Sequence, residues 1–407
     1  MQVLIIFIAS SGAFFNLYQL QSLYPQLHQL FAVSGTQAGP LNMATLLSLA
    51  LMALFSGPLT ARIRGYTLIC VAFLLMALAN LALALVSEQW QLLAVRMFQG
   101  ILIPLILSAL LRASGSGTAG KRSAVISAYV TGTIMGSVAS RFGTAWLVDH
   151  LGWQSGFICS AAAMMIVLVI IRQHADLFRD EPASSSTVLS DTETRISRWR
   201  ELSDSTRFRL NTLLVIGFCI LFSQSSLYTA IGLRLAGEFG LSASDSGLIY
   251  LTAVLAIFFP PLALSLARRF GQGVALLLVC CLSALSVLAS LLSDLWLIAL
   301  SVAAFSVTAY MAQTLANYMI ADLPAGSIRY ANGIYLFFYY TGGCCGALSS
   351  AFFYSHYGWP YVVLSIVSVQ LLTVLYGIGR GVSDQEKGLI TKGVCHESEA
   401  DTSFRKG

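Results

Sequence analysis

Residues 150–157 read HLGWQSGF and residues 356–363 read HYGWPYVV, so a histidine, a glycine and a tryptophan recur 206 positions apart. A second pair, QLHQLFAVSGTQAG (26–39) and RLAGEFGLSASDSG (234–247), shares leucine, phenylalanine, serine and glycine at an offset of 208. Two independent matches at nearly one offset mark the chain as two repeats. What is repeated follows from composition: 57% of the 407 residues are hydrophobic and 10% are charged, with mean hydropathy +0.77. A soluble domain carries about 25% charged residues, so this chain cannot cover itself with a solvated surface. Apolar runs of about 20 residues predict membrane-spanning helices, in which every backbone group is paired within its own segment.

Twelve spans are predicted, near 3–24, 37–58, 66–87, 90–112, 123–148, 153–172, 209–231, 244–267, 272–292, 295–321, 331–355 and 359–380. The one long polar interruption runs from Arg172 to Arg209 and contains DEPASSSTVLSDTETR. The expected organisation is an N-terminal six-helix bundle (1–172), a cytoplasmic linker (173–208), a C-terminal six-helix bundle (209–380) and a cytoplasmic tail (381–407). That is an all-α polytopic membrane protein of two pseudo-symmetric bundles, and such duplicated halves suggest alternating access at their interface.

Charge sets the expected sidedness. Arg62 and Arg64, then Arg112, Lys121 and Arg122, then Arg268 and Arg269 fall in alternate loops, whereas the other loops hold Arg234 beside Glu88, Asp149, Glu238, Asp245 and Asp294. The positive-inside rule then puts both termini in the cytoplasm, with the chain in the cell (inner or plasma) membrane. Trp90, Trp146, Trp153, Trp296 and Trp359 fall at outer helix ends, where interfacial anchors are expected. The N-terminal MQVLIIFIASSGAFF has no basic leader region and is expected to be the first span.

Several classes are disfavoured. The basic residues form no single soluble face for nucleic acid. Seven of the 8 cysteines sit in apolar runs as small hydrophobes, without the histidine spacing of a metal site. GSGTAG (115–120) fits Gly-x-Gly-x-x-Gly but follows a spanning helix and lacks the acidic residue that a dinucleotide site needs. No cofactor and no metal are expected. An enzyme would need clustered His, Asp or Glu within the spans, and the one aspartate or glutamate inside any of them is Asp245, at the very start of 244–267.

The chain resembles the major facilitator superfamily over almost its full length. RMFQG (96–100) looks like that superfamily's Arg-x-x-Gln-Gly motif, and GPLTARIRG (57–65) like a degraded form of its loop motif between the second and third helices. Gly57 and Arg62 are kept, but Ala61 stands where an acidic residue belongs. LYQLQSLYPQL (17–27), the arginine of the fifth span and YLFFYYTGG (335–343) look like the twelve-helix efflux type. The resemblance implies a cavity lined by the first, fourth, seventh and tenth helices, and a gate at the basic loops with Gly57, Arg62, Arg268 and Arg269.

Arg96 and Arg141 are the leading candidates for substrate contact. Arg96 lies 6 residues from Trp90 and Arg141 lies 8 before Asp149. At about 1.5 Å per residue both sit roughly 9–12 Å inside the outer boundary, where they could face one anion together. An arginine in the bilayer costs at least about 2.5–3.5 kcal/mol, so it needs a cavity or a partner. Structural alternatives are Arg96 on helix-end carbonyls and Arg141 paired with Asp149. Further candidates are Gln99, Asn16 and Gln19, Gln224 and Tyr228, and Tyr310, Gln313 and Asn317 on one helical face. Tyr339 and Tyr340 are adjacent, so only one is expected to point inward. Gly132, Gly136 and Ser140, and equivalently Gly342 and Gly346, form small faces on helices that in this superfamily meet across the halves.

Arginine stays charged at any working pH, so it binds carboxylate or phosphate but carries no proton. The sequence therefore points to a proton-driven exporter of a small anionic or polar organic molecule, a carboxylate siderophore being one example. Asp149, Asp322, Glu238, His28 or the protonated substrate would provide the coupling. The alternatives are an uptake permease for a carboxylated or sugar-like metabolite and a broad multidrug exporter. The expected partners are the substrate, protons and the lipid bilayer, and the expected state is a monomer.

Overall fold

A computed structural model describes residues 1–61, 63–114, 119–178, 203–321, 323 and 325–376. Arg62, Asp322, most of GSGTAG, the linker from 179 to 202 and the tail beyond 376 lie outside the described residues. The first half contains α1 (Gln2–Tyr18), the short α2 (Tyr24–Phe31), α3 (Gly35–Ala61), α4 (Gly65–Leu85), α5 (Gln89–Ser114) and α6 (Ala119–Gln173). The second contains α7 (Asp204–Gly237), α8 (Ala243–Leu251), α9 (Pro260–Phe270), α10 (Gln272–Ala289), α11 (Leu295–Ala321), α12 (Ala325–Tyr357) and α13 (Trp359–Tyr376).

These helices make twelve crossings, six in each half. α6 provides two, because Gly152 adopts φ 82° and folds it into two limbs. α8 and α9 together provide one, joined through a 3₁₀ segment and bent by 47° ahead of Pro260. Pro260 and Pro261 lack the N–H that would continue the ladder, which accounts for the break. Large apolar side chains also cover the outside: Phe55, Leu85, Phe258, Leu300 and Leu375 are all more than half exposed. Such a surface is stable only against lipid.

The repeat persists in three dimensions. Gly152 and Gly358 share φ 82°, a left-handed conformation that a side chain would strain, and each is followed by a tryptophan. The Trp153 indole donates to the Leu83 carbonyl at 2.8 Å, and that of Trp359 donates to the Ser290 carbonyl at 3.1 Å. Both tryptophans are buried, at 8% and 3% exposure, which corrects their expected role as interfacial anchors. They fill holes in their own halves and bond the orphan carbonyls at the ends of α4 and α10. Trp90, Trp146 and Trp296 are exposed as anchors should be. We call this side the tryptophan end; Arg64, Arg112, Arg268 and Arg269 mark the opposite, basic end.

Two repeat-related glycines are among those at which the halves meet. Gly39 of α3 packs on Ala347, Leu348 and Ala351 of α12, and a Cβ there would lie 2.8 Å from the Ala347 carbonyl oxygen. Its repeat equivalent, Gly247 of α8, packs on Phe142 and Ala145 of α6. The glycine series expected to work across the halves lies elsewhere. Gly132 and Gly136 pack on Phe7 and Ser11 of α1, and Gly342 and Gly346 on Phe218 and Phe222 of α7, each within its own half.

Candidate functional site

The site is built around a break in the first crossing. Its predicted span, 3–24, is interrupted: α1 stops at Tyr18, and the chain turns before Pro25 starts α2. A helix that ends inside a membrane leaves its last carbonyls without water or partner. Arg96 supplies the partner. Its Nη1 donates to the Asn16 carbonyl at 2.6 Å and to Gln99 Oε1 at 2.7 Å, and its Nη2 to the Leu17 carbonyl at 2.6 Å. Arg96 is fully buried within the first half. The expectation that it shares an anion with Arg141 is therefore not met by this geometry.

Around Arg96 lies a sealed amide cluster. Asn80 donates to Asn16 Oδ1 at 2.7 Å, while Gln19 and Gln99 donate to Asn80 Oδ1 at 3.1 and 3.3 Å. Asn16, Gln19 and Gln99, all candidates from sequence, are 0% exposed and serve one another.

Arg141 occupies a different environment. Its Nε donates to Gln21 Oε1 at 2.7 Å and its Nη1 to the Ser137 carbonyl at 2.6 Å. The guanidinium carbon lies 4.3 Å from the Tyr18 ring centroid and 4.2 Å from that of Tyr228, with Tyr250 at 5.9 Å. Tyr18 belongs to the first half and Tyr228 to the second, so the charge sits at the interface between them. Cation–π contact of this kind contributes about 2 kcal/mol when desolvated, without neutralising the charge. Among the described residues Arg141 has no carboxylate partner. Asp149, its expected alternative partner, instead accepts from Gln26 and, at 2.6 Å, from the Ser244 backbone N–H at the start of α8.

Tyrosines extend the site toward the basic end. Tyr310 is within 3.0 Å of Ser137 Oγ, and Tyr228 within 2.6 Å of Ser306 Oγ. Tyr335, Tyr339 and Tyr340 stand side by side on α12, with ring centroids 5.8 and 5.2 Å apart. Both Tyr339 and Tyr340 are buried. Consecutive helical residues diverge by about 100°, so the two rings leave α12 in different directions and both find cover within the protein. Exposure rises along α11, from half-buried Tyr310 and Gln313 to exposed Asn317. Gln224, one turn from Tyr228, is buried with its Nε2 unpartnered.

The remaining candidates lie apart from Arg141. Arg268 and Arg269 are exposed in the last turn of α9, and Gly57 lies in the last turns of α3. Arg112 donates to the Thr60 and Ile63 carbonyls, tying the end of α3 to α5 where the loop motif lacks its acidic residue. Glu238 pairs with Arg234 at 2.7 Å and His28 faces the Val33 carbonyl, both at the tryptophan end. A cleft of about 650 Å³ opens there, lined by Gln26, His28, Asp149, Ser242 and Tyr354 among others. Among the described residues no three His, Cys, Asp or Glu converge as metal ligands.

Tyr18, Gln21, Ser137 and Tyr250 were missed as individual residues in the sequence. Tyr18 and Gln21 do lie within LYQLQSLYPQL, the stretch that carried part of the resemblance.

A fold of twelve crossings in two halves, with a buried charge at their interface, defines a membrane transporter. The model of the Major Facilitator Superfamily matches residues 6–328 and 213–389, and the chain belongs to that family. It is 26% identical to the inner membrane transport protein YnfM of Escherichia coli (strain K12), over 92% of this chain and 89% of that one. A gallate transporter of Pseudomonas putida is 29% identical over 149 residues, 36% of this chain and 33% of the relative. Among solved structures, the human organic anion transporter MFSD10 superposes with a TM-score of 0.64 over 92% of this chain and 98% of that one. Identity there is 15%, so the likeness is one of fold alone.

Proposed function

We propose that the chain is a secondary active exporter of a small anionic or polar organic molecule, driven by the proton gradient, with its basic end in the cytoplasm. One observation carries the substrate reading: Arg141 is a buried guanidinium at the interface of the halves with no carboxylate beside it among the described residues. A charge in that position costs several kcal/mol unless an anion visits it. Gln224, Tyr228, Tyr310, Gln313, Asn317 and Tyr339 would line the path. We assign Arg96, Gln99, Asn16 and Gln19 to the support of α1 instead. The gallate transporter is a distant relative whose named substrate is a carboxylate, and it favours the anion reading; uptake stays the alternative direction.

The test compares a strain lacking the gene with one overexpressing it, by untargeted mass spectrometry of cells and medium. An acidic metabolite that builds up inside the first and outside the second supports export; depletion of a nutrient from the medium favours uptake. At equal membrane levels, Arg141→Ala should reduce transport at least about tenfold, equivalent to 1.4 kcal/mol, and Arg141→Lys should keep part of it. A response restricted to hydrophobic cations rejects the anion reading.

A further inference from the structure

Resting on that reading of Arg141, we infer that Gln21 is the positioning residue that sets the charge preference of the site, because it holds the guanidinium with an acceptor that carries no charge. Gln21 lies in the turn between α1 and α2, where its backbone N–H donates to the Tyr18 carbonyl at 3.0 Å. From there its Oε1 accepts the Arg141 Nε–H at 2.7 Å, and the neighbouring Ser22 hydroxyl donates to the Arg141 carbonyl at 2.5 Å. Tyr18, at the end of α1, places its ring centroid 4.3 Å from the guanidinium carbon. Three residues of the broken first crossing therefore hold both the backbone and the side chain of Arg141. Gln21, Ser22 and Arg141 are all buried, so these bonds, and not solvent, fix the arginine.

An amide at this position has an electrostatic consequence. Glutamate has nearly the same shape and would accept the same N–H, in a charge-assisted bond about twice as strong. It would also complete an internal ion pair, and an arriving anion would then meet a neutral site. The other groups on the guanidinium are uncharged as well: the Ser137 carbonyl and the rings of Tyr18 and Tyr228. Asp149 accepts from Gln26 and Ser244, and Glu238 pairs with Arg234, so neither serves Arg141. Gln21 thus fixes the arginine in place and leaves its charge for the cargo. Gln21 and Arg141 both belong to the first half and Tyr228 to the second, so separation of the halves does not break the Gln21 bond.

Full-length Gln21→Glu, Gln21→Leu and Arg141→Gln test this by two measurements. One is thermal unfolding in detergent. The other returns each variant to the strain lacking the gene, at matched membrane levels, and follows by mass spectrometry the acidic metabolites that the parent moves. We expect the two measurements to rank the Gln21 variants in opposite orders. Gln21→Glu should raise Tm above the parent, because it supplies the missing charge, and should cut transport of the acids at least about tenfold. Gln21→Leu should lower Tm, because the Nε–H loses its acceptor, yet keep more transport than Gln21→Glu. The rise in Tm should vanish when Gln21→Glu is combined with Arg141→Gln. A glutamine that serves only the fold predicts the reverse, since glutamate keeps the acceptor and leucine does not. Better transport by Gln21→Glu than by Gln21→Leu, or a Tm for Gln21→Glu no higher than the parent's, overturns the inference and leaves the anion site standing. If Arg141→Gln moves the acids as well as the parent, or the parent moves none, the reading of Arg141 itself falls.

Discussion

Arg96 and Arg141 have the same side chain at similar depth on successive crossings, and the structure uses them in opposite ways. Arg96 holds the Asn16 and Leu17 carbonyls and Gln99. Arg96→Ala would strand these buried acceptors at about 1–3 kcal/mol each. Thermal unfolding in detergent should show the loss as a fall in Tm large enough to deplete the folded protein. Arg141→Ala strands fewer groups, since Gln21 Oε1 loses its donor while the Ser137 carbonyl keeps the Ser140 hydroxyl, and it should lower Tm much less while removing transport. Equal destabilisation by both variants would make Arg141 a structural residue too. Depth and charge were legible for each arginine, but not which helix ends beside it. The decisive fact, that α1 stops at Tyr18, follows from a turn held by tertiary contacts such as Ser22 Oγ to the Arg141 carbonyl at 2.5 Å.

Among the helices, one device recurs: a side-chain donor capping a C-terminus that the membrane leaves bare. Arg96 caps α1, Arg112 caps α3, Trp153 caps α4, and Trp359 caps α10. The last two are repeat partners, but their loads differ. The Ser290 carbonyl also accepts from Arg234, whereas Trp153 is the tertiary donor to Leu83. Trp153→Phe should therefore cost about 1–3 kcal/mol beyond the lost packing, and Trp359→Phe less. Chemical unfolding of the two variants in detergent decides this; a larger loss for Trp359→Phe would contradict it. The repeat equivalence was legible in the motif HLGW/HYGW. The capping role was not, because a tryptophan at a helix end fits an interfacial belt equally well until its burial is known.

For the molecule as a whole, the crossings, the two halves and the family were legible from apolar runs and the repeat. The contact between halves was legible only in part. The conspicuous glycine series of α6 and α12 faces inward to α1 and α7, while single glycines in the matched segments 26–39 and 234–247 do the cross-half work. Gly39→Leu would insert bulk against the α12 backbone, and it should hold the tryptophan end open. A cysteine placed at Ser244 should then react faster with a membrane-impermeant maleimide in Gly39→Leu than in the parent, after subtraction of the background from the native cysteines. Unchanged labelling would show that the seam adjusts elsewhere.

The seam also has a kinetic side. Glycine against alanine makes contact without directional bonds, and it is fastened mainly by a few polar links: Asp149 to Ser244, Asn42 to Thr229, and Ser137 to Tyr310. Each such link is worth about 0.5–1.5 kcal/mol net. With the Arg141–Tyr228 contact, these links make a directional fastening of several kcal/mol, which one ligand that prefers one state can offset. A seam fastened this way would let a cargo that prefers one state tip the balance, with no single strong lock to break.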